Sequence, residues 1–244
     1  MLEHVRTAPL PLIQPSISRF GSESYRADRV SNDDDELTSG YALISTHIAP
    51  YADVLLCETM SRVREGLFAA EAANKLGKPV WISWTLAEDS SGCLRSGEPI
   101  EEAVAAVAHL ENIEAMLFNC CFHTSIMAAL PRLRKVAPVG VVLGVYANGF
   151  NTQKGGVDSK EFCTGKDDET KGSGEYEDLS AEAYAQQAHQ WMRAAGISII
   201  GGCCGIFSEH IGAVAKALKP RGRVALPCKP CGSEEGGSTK RQKL

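Results

Sequence analysis

Three cysteines of this 244-residue chain stand at positions that suit metal chemistry. Cys120 follows a short apolar run that ends in Asn119, and Cys203 and Cys204 lie within the glycine-rich segment 201–205. Where parallel strands end at one edge of a sheet, residues far apart in sequence meet. Thiolates bind zinc at about 2.3 Å, and three protein ligands leave one tetrahedral position open. The spacing therefore predicts a three-thiolate metal site that can hold a further thiolate.

Other assignments for these thiols stay open at this stage. Segment 201–205 can be a tight turn with inert thiols, and Cys203 and Cys204 can serve redox chemistry. Cys121 is either a packing residue or the true ligand in place of Cys120 if the strand register differs by one residue. The other cysteines are predicted to have no ligand role, as packing or exposed residues: Cys57, Cys93, Cys163, Cys228 and Cys231.

Polar side chains follow the apolar runs in a similar way. Glu58, Ser83, Asn119 and Asn148 each stand at or just after the end of such a run. In parallel βα folds, reactive groups occupy the carboxyl ends of the strands and the loops that follow them. These four residues are therefore candidates for the same site as the thiols.

Alternating hydrophobic patterns predict the elements that must position these residues. Short apolar runs rich in β-branched residues predict strands over 53–57, 79–85, 114–119, 139–146 and 197–201, with one more short strand within Leu10–Ser18. Helical periodicity is found over 38–50, 61–76, 98–111, 124–136, 180–195 and 208–218. This alternation predicts the α/β class with parallel strands.

Composition restricts the function classes. With 25 basic and 30 acidic residues the formal net charge is −5, which argues against a general nucleic-acid partner. No apolar stretch approaches the roughly 18 residues of a membrane span. Nine cysteines with two adjacent pairs favour metal or thiol chemistry in a reducing compartment. A cytoplasmic protein without membrane contact is expected, and three of its six histidines are predicted to be surface or capping residues: His123, His189 and His210.

The same patterns divide the chain into segments. Residues 1–19 are predicted to form a polar N-terminal segment and 20–219 the main domain, with a long Gly-, Lys-, Asp- and Glu-rich loop expected at 151–178. Residues 220–244 have the composition of a disordered tail. The acidic run 33–36 is predicted to be a solvated helix start without a chemical role.

The order of these motifs resembles that of the homocysteine S-methyltransferases, a family of zinc-dependent (β/α)8 enzymes. The matching segments are Ala52–Thr59, Lys78–Thr85, Asn119–Cys120, Gly144–Gly149, Gly201–Gly205 and Glu209–Ile211. Asn-Cys followed at this distance by Gly-Gly-Cys-Cys-Gly is the most specific part. A mild departure is Ala147, because the family has proline before the asparagine. The resemblance covers roughly residues 20–218 and begins at Gly21–Tyr25, which resembles the loop after the family's third strand.

The resemblance implies an α/β fold of the (β/α)8 TIM-barrel type that lacks its first two βα units. It implies that Cys120, Cys203 and Cys204 bind Zn²⁺, and that Glu58 and Asn119 are catalytic. It also implies a substrate site with these members: Glu58, Ser83, Asn119 and Asn148.

The activity that the resemblance implies is methyl transfer to homocysteine. The homocysteine thiolate would take the open zinc position and displace a methyl group from a small donor, such as S-methylmethionine or betaine, to give methionine. The alternative is a truncated or degenerate homologue that binds zinc or homocysteine without turnover. The sequence names neither the methyl donor nor the oligomeric state.

Overall fold

The computed structural model of the protein describes residues 16–17, 27–149 and 179–218. Three of the predicted segments lie outside the described residues, wholly or largely: 1–19, 151–178 and 220–244. The same holds for three of the cysteines: Cys163, Cys228 and Cys231.

Short strands alternate with helices along the described residues. The strands are β1 (Ser16–Ile17), β2 (Leu55–Met60), β3 (Val80–Trp84), β4 (Ile113–Asn119), β5 (Val142–Tyr146) and β6 (Ile199–Ile200). The α-helices are α1 (Asp34–Ile48), α2 (Val63–Asn74), α3 (Ile100–Val107), α4 (His123–Val136), α5 (Ala181–Ala195) and α6 (Ser208–Ala217). Two short 3-10 helices flank α1 and span Ala27–Arg29 and Ala49–Tyr51.

The six strands form one parallel sheet in which each strand pairs with its neighbours in sequence order. This order is the winding of a (β/α) barrel, whereas a doubly wound sheet reverses its direction near the middle. The predicted α/β class and barrel type are therefore confirmed. Among the described residues, β1 and β6 are the two outer strands of the sheet.

Two apolar layers follow from the alternation of side chains along the strands. On one face Leu55, Ile82 and Phe118 belong to the large core that the helices cover. On the opposite, inner face lies a smaller cluster made of Val54, Leu56, Trp81, Ala115, Leu117 and Ile199. Successive side chains of a strand belong to opposite faces. At the carboxyl ends of the strands, a residue next to one that packs in the large core therefore belongs to the inner face.

Capping residues shift some element boundaries away from the hydrophobic periodicity. Helix α1 begins at Asp34, within the acidic run 33–36 that was predicted to start a helix and ahead of the apolar periodicity at 38, because the Asp33 carboxylate accepts hydrogen bonds from the backbone of Asp35 and Glu36. Strand β2 starts later than predicted and extends past Glu58, which therefore lies within the strand. Among the described residues, none of the helices combines the length and apolar character needed to cross a membrane.

Candidate metal centre and substrate site

Three thiols meet at the carboxyl-terminal edge of the sheet, which we call the site edge. Cys120 follows β4, and Cys203 and Cys204 follow β6. All three Sγ atoms lie within 4.8 Å of one another. The Sγ atom of Cys203 is 2.8 Å from that of Cys120, a residue 83 positions away, and 3.9 Å from that of Cys204. The three side chains form a group that can hold one metal ion.

The backbone at these cysteines is tightly constrained. Cys120 has a φ of 51°, in the left-handed region that costs a residue with a side chain roughly 1–2 kcal/mol. A Cβ atom at Gly202 would lie 2.1 Å from Cγ2 of Ile206, so only glycine fits directly before Cys203. Gly205, with a φ of 74°, completes the turn. Segment 201–205 is thus a tight turn, and this turn brings its thiols into the group.

Backbone hydrogen bonds join the three loops that carry the site edge. They are Cys203 N–H to Ala147 O at 2.9 Å, Gly149 N–H to Cys204 O at 2.8 Å and Asn148 N–H to Cys121 O at 3.0 Å. A Cβ atom at Gly149 would lie 2.5 Å from the carbonyl oxygen of Gly205, which shows how closely the chains approach. The loops after β4, β5 and β6 therefore behave as one support for the thiols.

Tyr184 on α5 reinforces this junction from the helix side. Its buried hydroxyl donates a hydrogen bond to the carbonyl of Gly201 at 2.7 Å and accepts one from the backbone of Ala147 at 3.2 Å. Burial raises the pKa of Tyr184 above its ordinary value, so the hydroxyl stays protonated. Sequence reasoning missed Tyr184, because nothing in a helical pattern shows which loop a buried tyrosine contacts.

The electrostatics of the thiol group favour a bound cation. The pKa of Cys203 is raised well above its ordinary value, first because its thiol shares hydrogen bonds with Cys120 and Cys204, and then because it is largely buried. Three neighbouring thiolates repel one another unless a positive charge lies between them. A divalent ion reverses this preference and holds the thiolates together.

Asn119 is the centre of a polar network on the inner face. Its Oδ1 accepts hydrogen bonds from the Ser83 hydroxyl at 2.7 Å and from Thr59 N–H at 3.2 Å. Its Nδ2 donates to Thr59 Oγ1 at 2.8 Å. Thr59 itself has a φ of 61°, so the network also fixes a strained residue at the end of β2. Asn119 thus links three strands and stands directly before Cys120.

Glu58 and Tyr146 lie beside this network. Glu58 alternates with Leu56, and Tyr146 packs against the inner apolar cluster, so both belong to the inner face. Burial raises the pKa of Tyr146 well above its ordinary value, and the negative charge of Glu58 adds to the shift. The buried Tyr146 hydroxyl interacts with the side chains of Glu58 and Ser83. Sequence reasoning passed over Tyr146, although the period-two pattern of β5 contained the signal.

Asn148 offers the clearest sign of a ligand. Its side chain is only 1% exposed, yet neither its Oδ1 nor its Nδ2 has a hydrogen-bond partner among the described residues. A buried amide that leaves both polar atoms unpaired is costly, so such a group in a folded protein calls for a missing partner. The structure therefore places an unsatisfied donor and acceptor in the same loop system as the thiols.

Comparison with known proteins identifies the family. The sequence profile described as homocysteine S-methyltransferase matches residues 14–218, which is most of the chain. The chain belongs to the homocysteine S-methyltransferase family. It is 30% identical over 194 residues to betaine–homocysteine S-methyltransferase 1 of Bos taurus; this alignment covers 76% of this chain and 44% of that protein. It is 27% identical over 229 residues to homocysteine S-methyltransferase 4 of Zea mays; this alignment covers 88% of this chain and 60% of that protein. The chain thus spans about half the length of these relatives.

Solved structures with similar folds support the barrel assignment for this homocysteine S-methyltransferase family member. The metallated form of the homocysteine methyltransferase MmuM from Escherichia coli aligns with a TM-score of 0.62 and 24% identity, over 86% of this chain and 62% of that chain. Its apo form aligns with a TM-score of 0.61 and 22% identity, over 88% and 65%. At this level of identity the similarity establishes the fold.

The other thiols of this family member have the environments of packing residues. Cys121 is fully buried, and burial raises its pKa to about 12. Burial likewise raises the pKa of Cys57 in β2 to about 12. Cys93 is half-buried and lies 3.8 Å from the Arg132 guanidinium. Between the two alternatives left open by the sequence, the structure brings Cys120 and not Cys121 into the thiol group.

The three histidines singled out in the sequence occupy the capping and surface positions that were predicted. His210 caps α6: its Nδ1 accepts a hydrogen bond from Phe207 N–H at 3.1 Å, and its Nε2 donates to the carbonyl of Leu179 at 2.8 Å. His189 is exposed on α5, and His123 is the first residue of α4. Within the part of the chain that the structure describes, the thiol group includes none of the three.

Proposed function

We propose that this chain forms the zinc- and homocysteine-binding part of an S-methyltransferase. The reaction transfers a methyl group from a small donor, such as S-methylmethionine or betaine, to the homocysteine thiol and yields methionine. The observation that carries this proposal is the group of three thiols next to the unsatisfied amide of Asn148. The relatives named above, which act by their names on homocysteine, support it.

The geometry of the thiols suits zinc. Zinc–sulfur bonds of about 2.3 Å in a tetrahedral site place two sulfur atoms about 3.8 Å apart. The Cys203–Cys204 distance of 3.9 Å agrees with this value, and the Cys120–Cys203 distance of 2.8 Å would have to widen by about 1 Å. Bound zinc would supply the positive charge that favours thiolate over thiol, both in these ligands and in homocysteine.

The polar residues of the inner face would bind the amino-acid part of homocysteine. Glu58 provides a carboxylate for the substrate's ammonium group, and Asn148 provides a donor and an acceptor that have no partner within the described part of the chain. Ser83 and Asn119 are already hydrogen-bonded to each other. We propose that Asn119 contributes to catalysis by fixing Ser83 and the backbone that leads into Cys120.

The proposed reaction is a simple displacement at carbon. The homocysteine sulfur forms a new S–CH3 bond while the bond from that carbon to the sulfonium sulfur or ammonium nitrogen of the donor breaks. The electron pair of the broken bond stays on the sulfur or nitrogen atom of the donor, and this atom becomes neutral. The thiol proton of homocysteine passes to solvent. Orientation of the two reactants along one line is the contribution that the protein scaffold can make.

Zinc titration and a methionine assay test the proposal on the full chain. The zinc-loaded chain should bind one equivalent of zinc and form methionine from homocysteine with S-methylmethionine or betaine, whereas the metal-free chain should form none. Stoichiometric zinc binding without methionine from any donor would refute turnover and leave a homologue that only binds. Failure to bind zinc would refute the metal site itself.

The thiol site also bears on where the protein works. The six cysteines among the described residues form no disulfide bond, and the proposed site requires three of them in reduced form. Reduced thiols persist in the cytosol and are rare in oxidising compartments. We therefore propose a cytoplasmic location, which fractionation of cells expressing the chain would check.

A further inference from the structure

The backbone carbonyl of Cys120 is held by the loop that follows β3. The Thr85 hydroxyl donates a hydrogen bond to this carbonyl at 3.1 Å, and Nη2 of Arg95 approaches it at 3.5 Å. Thr85 is fully buried. The carbonyl belongs to the one cysteine of the thiol group whose φ lies in the left-handed region, so its orientation depends on outside support.

Thr85 is itself anchored at both of its backbone groups. Its N–H donates to the carbonyl of Met60 at 3.0 Å, and its carbonyl accepts from Arg95 N–H at 3.0 Å. Beyond it the loop folds back on itself through an antiparallel bridge between Leu86 and Leu94. The hydroxyl that meets Cys120 therefore projects from a fixed backbone.

A buried ion pair fixes the second contact. Arg95 Nη2 lies 3.6 Å from Oε1 of Glu88, and these side chains are only 11% and 2% exposed. A buried charge that loses its partner is strongly destabilising, so the pair keeps the guanidinium in place. The same Arg95 nitrogen thus lies near both the Glu88 carboxylate and the Cys120 carbonyl.

We propose that Thr85, supported by Arg95, is a positioning residue that sets the direction of the Cys120 thiol in the metal site. This inference rests on the proposed function, since it assumes that the thiols bind a metal. Without the hydroxyl, the Cys120 carbonyl loses its fixed hydrogen-bond donor, and the strained residue relaxes. Metal ligands have to be held within about 0.5 Å of the productive geometry, so a relaxed Cys120 would bind the ion less well.

A hydroxyl-deletion pair tests Thr85 on the full chain. T85V replaces the hydroxyl by a methyl group of similar size, whereas T85S keeps the hydroxyl. S45A is the matched control, because Ser45 is a fully buried hydroxyl in α1 without a hydrogen-bond partner among the described residues. Zinc affinity is measured by competition with a chromophoric chelator, and the absorption bands of the Co²⁺-substituted chain report the coordination geometry.

We expect T85V to weaken zinc binding about 10-fold or more and to change the Co²⁺ spectrum, as is typical when a supporting contact of a metal ligand is lost. T85S and S45A should stay within about twofold of the wild-type affinity. A T85V chain with wild-type zinc affinity and an unchanged Co²⁺ spectrum would overturn the role of Thr85. A merely structural role would lower the melting temperature without changing the spectrum of the folded, loaded protein.

Two further outcomes keep the test decisive. If T85V does not fold by circular dichroism, T85A takes its place, because alanine also removes the hydroxyl and puts no methyl group against the Cys120 carbonyl. A folded T85A chain with wild-type zinc affinity and spectrum would then overturn the inference. A wild-type chain that binds no zinc would refute the proposed function, whereas zinc binding that is equal in wild type and variant refutes only the positioning role.

Discussion

The site edge of the sheet and the interior of the same sheet place their thiols in opposite environments. Cys57, inside β2, is fully buried among apolar side chains, and burial raises its pKa to about 12. At the site edge, Cys120, Cys203 and Cys204 contact one another instead. An isolated buried thiol keeps its proton and packs as a small apolar group, whereas grouped thiols gain from a cation. Position relative to the strand end therefore separates packing thiols from candidate ligands.

The two ends of β4 show the same contrast for amides. Asn112, just before the strand, is half-buried, and its Nδ2 donates a single hydrogen bond to the carbonyl of Asn74 at 3.0 Å. Asn119, at the site edge, is fully buried and holds Thr59 and Ser83 through three hydrogen bonds. The site edge therefore concentrates polar groups and strained backbone that the amino-terminal end of the strand does not carry.

Removal of one grouped thiol should have the largest effect. We expect C203S to weaken zinc binding more than 100-fold, because a structural zinc site is worth about 10–16 kcal/mol over four ligands, or roughly 3 kcal/mol per ligand. Competition with a chelator measures the change. The matched control is C121A, which removes a fully buried thiol next to Cys120 that lies outside the group. Equal zinc affinities of C203S and C121A would abolish the distinction between the two kinds of thiol.

Removal of the central amide should have the next largest effect, on folding. We expect N119L to lower the free energy of unfolding by roughly 3 kcal/mol, because the variant keeps the volume but leaves the donors of Ser83 and Thr59 without their acceptor. N112L, at the other end of β4, should lower it by only about 1 kcal/mol. Urea unfolding of both variants gives the comparison. Similar losses would show that the site edge has no special polar network.

The parts of this architecture that depend on local patterns could be predicted from the sequence. Alternating hydrophobic periods predicted the parallel sheet, and the rule that strand ends meet predicted that Cys120 would lie near Cys203. The helix start at Asp34 agrees with the acidic run 33–36 and not with the apolar periodicity, which begins only at 38, because a capping side chain decides it. The choice between Cys120 and Cys121 needed the actual strand register, which a sequence pattern leaves open by one residue.

The supporting contacts could not be predicted because they join residues without any periodic relation. Tyr184 reaches Gly201 from a helix, and Thr85 reaches Cys120 across two strand ends. Each contact depends on the angle at which one loop leaves its strand, and that angle is set by three-dimensional packing. Strained φ values at Thr59 and Cys120 are equally invisible in sequence, since neither residue type favours the left-handed region.

The smallest effect is expected in the sheet interior. There, the free energy of unfolding should fall at alkaline pH, because the Cys57 thiol has a higher pKa in the folded chain than in the unfolded chain. The pKa of Cys57 is about 12 in the folded chain and 9.0 ordinarily, so the unfolded chain releases this proton first as the pH rises. The protonated Cys57 thiol makes its full contribution to the stability of the fold below about pH 9, and this contribution is lost progressively from pH 9 towards 12. At pH 10 the loss from this one thiol is about 1.4 kcal/mol.

The variant C57A isolates that contribution. Its metal-free chain should be less stable than wild type by about 1 kcal/mol at pH 7.5, because a small cavity replaces the sulfur. Between pH 7.5 and pH 10 it should lose about 1.4 kcal/mol less than wild type, since alanine does not titrate. C121A should behave alike, because burial raises the pKa of Cys121 to about 12 as well. Urea unfolding at both pH values measures the losses. Parallel losses in wild type and C57A would mean that the interior thiol ionises as easily in the folded chain as in the unfolded one, and the contrast with the site edge would disappear.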